Sequence, residues 1–244
     1  MLLNSGEMNF RTQAGMVHGQ MTLFPRRSLL VRLRTLLQRI PYKPVDINCL
    51  YFLEHVGLPR RETVFRQVRG EIRGATLDDL HGITRCQNTP HAFLKRFQSN
   101  DHCVVAVVDG HIVGYEWFCD KPFHLEERYS YKIEIPPDAI YAYDAFILPE
   151  HRLAGIWLKF KTVYLRELMQ GLRKRKIVTM IDHGNRMSMS THLRFGFRLV
   201  RRVFVVKLFG KSIYLGKKVC GEKRTPDSQV SFTRTLGRSK AKES

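Results

Sequence analysis

The chain has 244 residues, 43% of them hydrophobic, which suits one domain of about 150 residues with additions at its ends. No apolar run of about 18 residues occurs, which excludes a spanning helix, and the N-terminus lacks the compact apolar stretch of a signal peptide. The net charge of +19 raises three partner classes: nucleic acid, an anionic lipid surface, or a polyanionic cofactor.

The charge lies mainly at the flanks. Residues 21–73 hold 11 basic and 4 acidic side chains, and residues 211–244 hold 9 and 3, so the middle of the chain is only mildly basic. That distribution argues against nucleic acid bound through the folded centre, and the tail offers only Tyr214 and Phe232 for stacking. Cys49, Cys86, Cys103, Cys119 and Cys220 are scattered with no CxxC pair, which points to a reducing, cytoplasmic compartment. No metal-ligand spacing occurs, and no metal is expected.

Residues 1–20 show no period and read as a disordered leader. In "PRRSLLVRLRTLLQRI", residues 25–40, Leu29, Leu30, Leu33, Leu36, Leu37 and Ile40 form one helical stripe, with the arginines mostly elsewhere. Such a helix lies on an anionic membrane surface, at the inner face of a cytoplasmic membrane, or packs its stripe on the domain or a partner. "CLYFLEHV", residues 49–56, reads as an extra strand before the main domain, so residues 21–70 form a basic N-terminal region.

From Glu71 the pattern becomes regular. "EIRGAT" is a short strand, and Thr76 with Asp79 resembles a capping box at a helix start. A second helix follows Thr89-Pro90. "HCVVAVVDGHIVGYEWF" predicts a hairpin turning at Asp109-Gly110. "AIYAYDAFIL", residues 139–148, is a strand whose one charge is Asp144. A helix is predicted over 155–173, a buried strand over 176–182, a helix over 185–195 ending at Gly196, and a long strand over 197–209. The tail 211–244 is basic, polar and expected to be disordered. This order predicts an α+β domain over 71–210: a mixed, mostly antiparallel sheet flanked by helices, with a parallel crossover between 139 and 182.

"LPEHRLAGIW" has the form of a strand handing over to a helix through a small-residue loop. Backbone amides at a helix start can hold a pyrophosphate, Arg152 adds a charge or pins the loop, and Gly155 permits close backbone approach. The plainer reading is that Gly155 only starts a packing helix. A Trp157 side chain turned away from the loop leaves the amides open, and one turned inward blocks them.

The order and three motifs, "IRGATLDDL", "ILPEHRLAGIW" and "NRMSMSTHLRFGF", together resemble the GNAT superfamily of acyl-coenzyme A-dependent acyltransferases over Glu71–Phe209. "YAYDAFILPEHR" is similar to a bacterial branch of it. The resemblance implies a GNAT-like fold and transfer of an acetyl or other acyl group from acyl-coenzyme A to an amine, or a non-catalytic module on the same fold. It implies cofactor contacts at Leu148, Arg152, Leu153, Ala154, Gly155, Ile156 and Trp157. It also sets Asn185 beside the pantetheine arm, where the residue type equally makes a helix N-cap. His192 stands where many members carry a general-acid tyrosine; imidazole can reprotonate a thiolate near neutral pH, or the residue has no role. An amine acceptor must lose a proton, and Asp144 in its apolar strand is the first candidate base, with Glu116 second. Tyr141 and Tyr143 line the acceptor side or simply pack.

Overall fold

A computed structural model of the chain describes residues 45–60, 70–208 and 211–218. The expected leader, the amphipathic helix 25–40 and the end of the tail lie outside the described residues. Among the described residues ten strands form an eight-stranded sheet in the order β10-β9-β1-β8-β7-β4-β3-β2 and a two-stranded ribbon, β5-β6. The strands of the large sheet are β1 (Val45–Val56), β2 (Glu71–Gly74), β3 (His102–Val108), β4 (His111–Cys119), β7 (Ala139–Ile147), β8 (Lys176–Asp182), β9 (Arg198–Leu208) and β10 (Lys211–Lys218). All neighbours are antiparallel except β7 and β8, which are parallel as the crossover predicts. The fold is thus mixed α/β with a mostly antiparallel sheet flanked by helices.

The local signals act where expected. Asp109 and Gly110 adopt φ of 50° and 77°, the left-handed pair that a two-residue hairpin turn needs, and Val108 faces His111 across it. The Asp79 carboxylate accepts the Thr76 backbone N–H at 2.9 Å and pairs with Arg73 at 2.7 Å, fixing the start of helix α1 (Leu80–Cys86). Helix α2 (Pro90–Gln98) follows with proline in its first turn.

Three features depart from the sequence reading. β1 is no addition before the domain: it sits in mid-sheet, paired antiparallel to β8 on one side and β9 on the other, and buries Cys49, Leu50, Tyr51, Phe52 and Leu53. The sheet also continues past residue 210, because β10 pairs with β9 from Lys211↔Leu208 to Lys218↔Arg201, so 211–218 are strand rather than tail. The ribbon of β5 (Phe123–Glu126) and β6 (Tyr131–Glu134) was not anticipated; His124 and Ile133 turn inward and close one end of the sheet's first face.

Two cores result. On the first face Ile83 and Phe93 of α1 and α2 pack with Tyr115, Trp117, Tyr141 and Tyr143. On the second face lie Ile156, Phe160, Leu165 and Met169 of helix α3 (156–171) and Met189 of helix α4 (Arg186–Phe195). Helix α3 is α-helical at Ile156–Lys159 and Arg166–Gly171, but Phe160–Leu165 between them is π-helical. The wider π turn lets the consecutive residues Phe160, Lys161 and Thr162 all be buried, which a regular helix at 3.6 residues per turn does not allow.

Candidate functional site

The parallel partners β7 and β8 pair only from Ala139↔Lys176 to Ala142↔Thr179. Beyond that point β7 runs on to Ile147 and β8 to Asp182 without bonding each other, so the strands part at their carboxyl ends. Crevices outside the carboxyl ends of parallel strands are where open α/β sheets bind ligands. Here the loop 148–155 borders one side of the opening and the start of α4 the other.

The loop is built as its sequence suggests. The Arg152 Nε donates to the Ile147 carbonyl at 3.1 Å, so this arginine pins the loop to the end of β7. Gly155 caps α3 at φ 76°, a conformation that strains any residue with a Cβ. The Ala154 amide is already used, donating to the His151 carbonyl at 3.1 Å, which removes it from the expected cradle. The Gly155, Ile156 and Trp157 amides stand at the head of the helix, after the turn 152–155. Leu153 is fully exposed, and the Leu148 amide is tied to the Val113 carbonyl of β4. Asn185 is exposed and caps α4, its Oδ1 accepting the Ser188 N–H at 3.1 Å, so the capping role is present.

The Trp157 indole turns away from the loop. Its ring meets His192 at 4.7 Å and Phe195 at 5.3 Å on α4, and lies 5.1 Å from the Lys161 Nζ. The helix-head amides are therefore not covered by it, but the space between α3 and α4 is filled.

Beside Trp157 stands a group that sequence reasoning missed. Lys161 is 0% exposed and its Nζ contacts the Glu116 Oε1 at 2.5 Å; Glu116 is itself 2% exposed. The ammonium also faces the Phe118 ring at 5.2 Å. Burial pushes the Glu116 carboxyl up against the opposing pull of Lys161, and pushes Lys161 down against the pull of Glu116. Among the described residues the second oxygen, Oε2, forms no hydrogen bond, while the Trp157 indole near the carboxylate favours its charged form and so works against burial. In sequence Lys161 sits within "LKFKT", which reads as a solvated stretch; only the π turn carries it inside.

Glu116 also faces an irregularity in β7. Tyr115 pairs with Phe146 and Trp117 with Tyr143, so Asp144 and Ala145 together oppose Glu116. This is a β-bulge, and Asp144 takes a left-handed φ of 46° within it. The bulge turns Asp144 toward the first face, where it forms an ion pair with Arg96 of α2. The Arg96 guanidinium in turn lies over the Phe93, Trp117 and Tyr143 rings. Asp144 is therefore engaged rather than a lone carboxylate in an apolar strand, and it does not meet His192, which belongs to the second face.

His192 departs from the role the resemblance implies. It is 6% exposed, its Nδ1 lies 2.8 Å from the Ser188 carbonyl, and burial, then Lys161, lowers its pKa to about 3. A buried neutral imidazole bonded within its own helix is a poor proton donor to an incoming ligand. Tyr141 and Tyr143 pack rather than line an open surface: both are buried, stacked on each other and tilted against the His124 ring, with the Tyr143 hydroxyl donating to Asp101. Glu126, also missed, is half-buried on the ribbon's inner side and pushed up by burial near Arg96 and Asp144.

Folding also gathers Asp101, Cys119 and His124 within 4.8 Å, a trio no sequence spacing announces. Both Asp101 oxygens are engaged, one by Lys121 and one by Tyr143, and burial raises the Cys119 thiol to about 11.

Two of these histidines predict a pH response. Their folded pKa values, about 3 for His192 and about 4 for His124, lie below the ordinary value near 6.5. The unfolded chain therefore binds protons that the native state refuses as pH falls through that ordinary value. Between pH 7 and pH 5 each should remove roughly 2 kcal/mol of stability. Urea midpoints at the two pH values should show the drop, and His192→Asn should reduce it.

No protein-family model matches the chain, and no curated protein sequence matches it. Solved structures do. A functionally unknown conserved protein from Staphylococcus epidermidis is 14% identical, with a TM-score of 0.50, over 80% of this chain and 77% of that one. A tandem GNAT protein from the clavulanic acid biosynthesis pathway, solved without AcCoA, is 14% identical with a TM-score of 0.50, over 69% of this chain. The match spans 55% of that protein's length. At such identities the likeness establishes the fold, which is the GNAT fold.

Proposed function

We propose that this GNAT-fold chain is an acyltransferase that moves an acetyl or other acyl group from acyl-coenzyme A directly to an amine. The observation that carries the reading is the parting of β7 and β8 beyond Ala142↔Thr179, with the Gly155 loop and the Asn185 cap on its two sides. An extended thioester arm fits such an opening. Its pyrophosphate would meet the Gly155, Ile156 and Trp157 amides and the positive end of α3, and its amides would pass Asn185. With the thioester near the β7 bulge, the reacting carbon would lie close to Ala145 and opposite Glu116.

Isothermal titration with acetyl-coenzyme A should show binding to the full chain. Gly155→Glu should lower the affinity at least tenfold, since it sets a carboxylate and a strained backbone where the pyrophosphate would sit. Wild-type protein that binds nothing at millimolar ligand would sink the cofactor reading.

A second reading, a binding or regulatory module without catalysis, is favoured by the buried, neutral His192 and by the indole that fills the gap between α3 and α4. It expects acetyl-coenzyme A binding with no thiol release for any amine offered.

A further inference from the structure

Three irregularities meet at one place on the second face. The β7 bulge leaves Glu116 opposite two residues instead of one, the π turn of α3 carries Lys161 inward, and the two side chains form an ion pair with essentially no exposure. A buried ion pair is weak evidence of a stabilising purpose, because desolvation offsets its attraction and apolar residues of similar size usually do as well. The pair is also incomplete. Among the described residues Glu116 Oε2 is a buried acceptor with no hydrogen bond, a state that native interiors mostly avoid. An oxygen so placed suits one N–H or O–H donor from a ligand.

We propose that Glu116 and Lys161 form the proton couple of acyl transfer, an inference that rests on the function proposed above. The acceptor nitrogen bonds to the thioester carbon, and the proton it must lose passes to Glu116 Oε2. As the C–S bond breaks, the sulfur takes the electron pair and a proton from the Lys161 ammonium. Rotation of the protonated carboxyl then brings that O–H to the Lys161 amine, whose Nζ stands 2.5 Å from Oε1, and the proton passes back to nitrogen, so the couple ends as it began and coenzyme A leaves as the thiol. No oxidant, metal or further reactant enters the balance. The assignment replaces Asp144, which Arg96 engages on the other face, and His192, which Ser188 engages within α4. Trp157 and Phe118 wall the ammonium on two sides, and Trp157 must turn for the thioester to reach it.

The groups facing the couple are few. Asp144 acts on Glu116 from β7, while His55 of β1 and His192 of α4 feel Lys161, and burial holds both imidazoles below their ordinary range. Near neutral pH neither histidine carries charge, so the acid limb of the rate should report Glu116.

The test is thiol release from acetyl-coenzyme A with a panel of primary amines, alongside titration calorimetry with acetyl-coenzyme A alone. Glu116→Gln should bind acetyl-coenzyme A within about threefold of wild type yet release thiol at least a hundredfold more slowly, within the range of a lost general base. Because single changes can unfold the core, the paired apolar variant Glu116→Leu/Lys161→Met supplies a folded reference, and it should be equally slow. Lys161→Met should move the acid limb to higher pH, since the burial of Glu116 then loses its main opposing charge. A pair held only for packing leaves the double variant at the wild-type rate and the limb unmoved, which overturns the couple. Acetyl-coenzyme A binding without thiol release from any amine overturns it too. No binding by wild type overturns the function itself, and this inference with it.

Discussion

A chain begun at Glu71 is expected to show no cooperative thermal transition and to aggregate on purification, whereas the full chain unfolds cooperatively. The sequence reading set the domain at 71–210, and the structure puts β1 inside it. β1 pairs with β8 from Leu50↔Asp182 to Val56↔Lys176 and with β9 from Val45↔Leu208 to Glu54↔Arg198. Removing it takes away buried Cys49, Leu50, Tyr51, Phe52 and Leu53 and bares two strand edges in mid-sheet. A fully buried large apolar side chain contributes about 1.5–3 kcal/mol, so this loss rivals the whole stability of an ordinary domain, roughly 5–15 kcal/mol. The bared strands carry Ile177, Ile181, Val203 and Val205, a ready template for pairing with other chains. Circular dichroism on heating decides the matter; a sharp melt from residues 71–218 alone would show that β1 only decorates the sheet.

Lys161→Met should destabilise the protein by about 3–5 kcal/mol at neutral pH, because it strands the buried Glu116 charge. The paired change Glu116→Leu/Lys161→Met should recover most of that loss or exceed wild type. The pH dependence of the single variant has a definite sign. Burial raises the Glu116 pKa above its unfolded value, and without Lys161 only the Trp157 indole is left to oppose the rise. The native state then holds a proton that the unfolded chain releases, so stability falls as pH climbs above the ordinary glutamate range and returns as pH drops toward 4.5. Urea midpoints for the three proteins across pH 4.5 to 8 check both claims. A single variant as stable as wild type at pH 8 would show that the carboxylate reaches solvent.

What could be read beforehand was whatever depends on near neighbours. Asp109-Gly110 fixed a hairpin turn, Asn185 and Gly196 bounded α4, and Gly155 started α3, because each acts through its own backbone. β1 was recognised as a strand but misplaced, since nothing in "VDINCLYFLEHV" states that its partners lie at 176–182 and 198–208. The ribbon escaped because "FHLE" and "YKIE" are only four residues each and interrupted by charge. At the site the loop was legible and the chemistry was not. Lys161 looks solvated until a π turn rotates it inward, and Asp144 looks solitary until α2 delivers Arg96 from 48 positions earlier in the chain. Side-chain company set by tertiary packing leaves no local mark.

The central seat of β1 also bears on how the protein is made. β1 leaves the ribosome early, yet Val56 waits for Lys176 and Val45 for Leu208. At about 5–20 residues per second of synthesis, the strand spends on the order of ten seconds without partners, its apolar residues open to other nascent chains. β2, β3 and β4 can pair as soon as they emerge, but the sheet cannot close until β9 is free of the tunnel. Occupancy by a nascent-chain chaperone should therefore rise soon after β1 emerges and fall once β9 does.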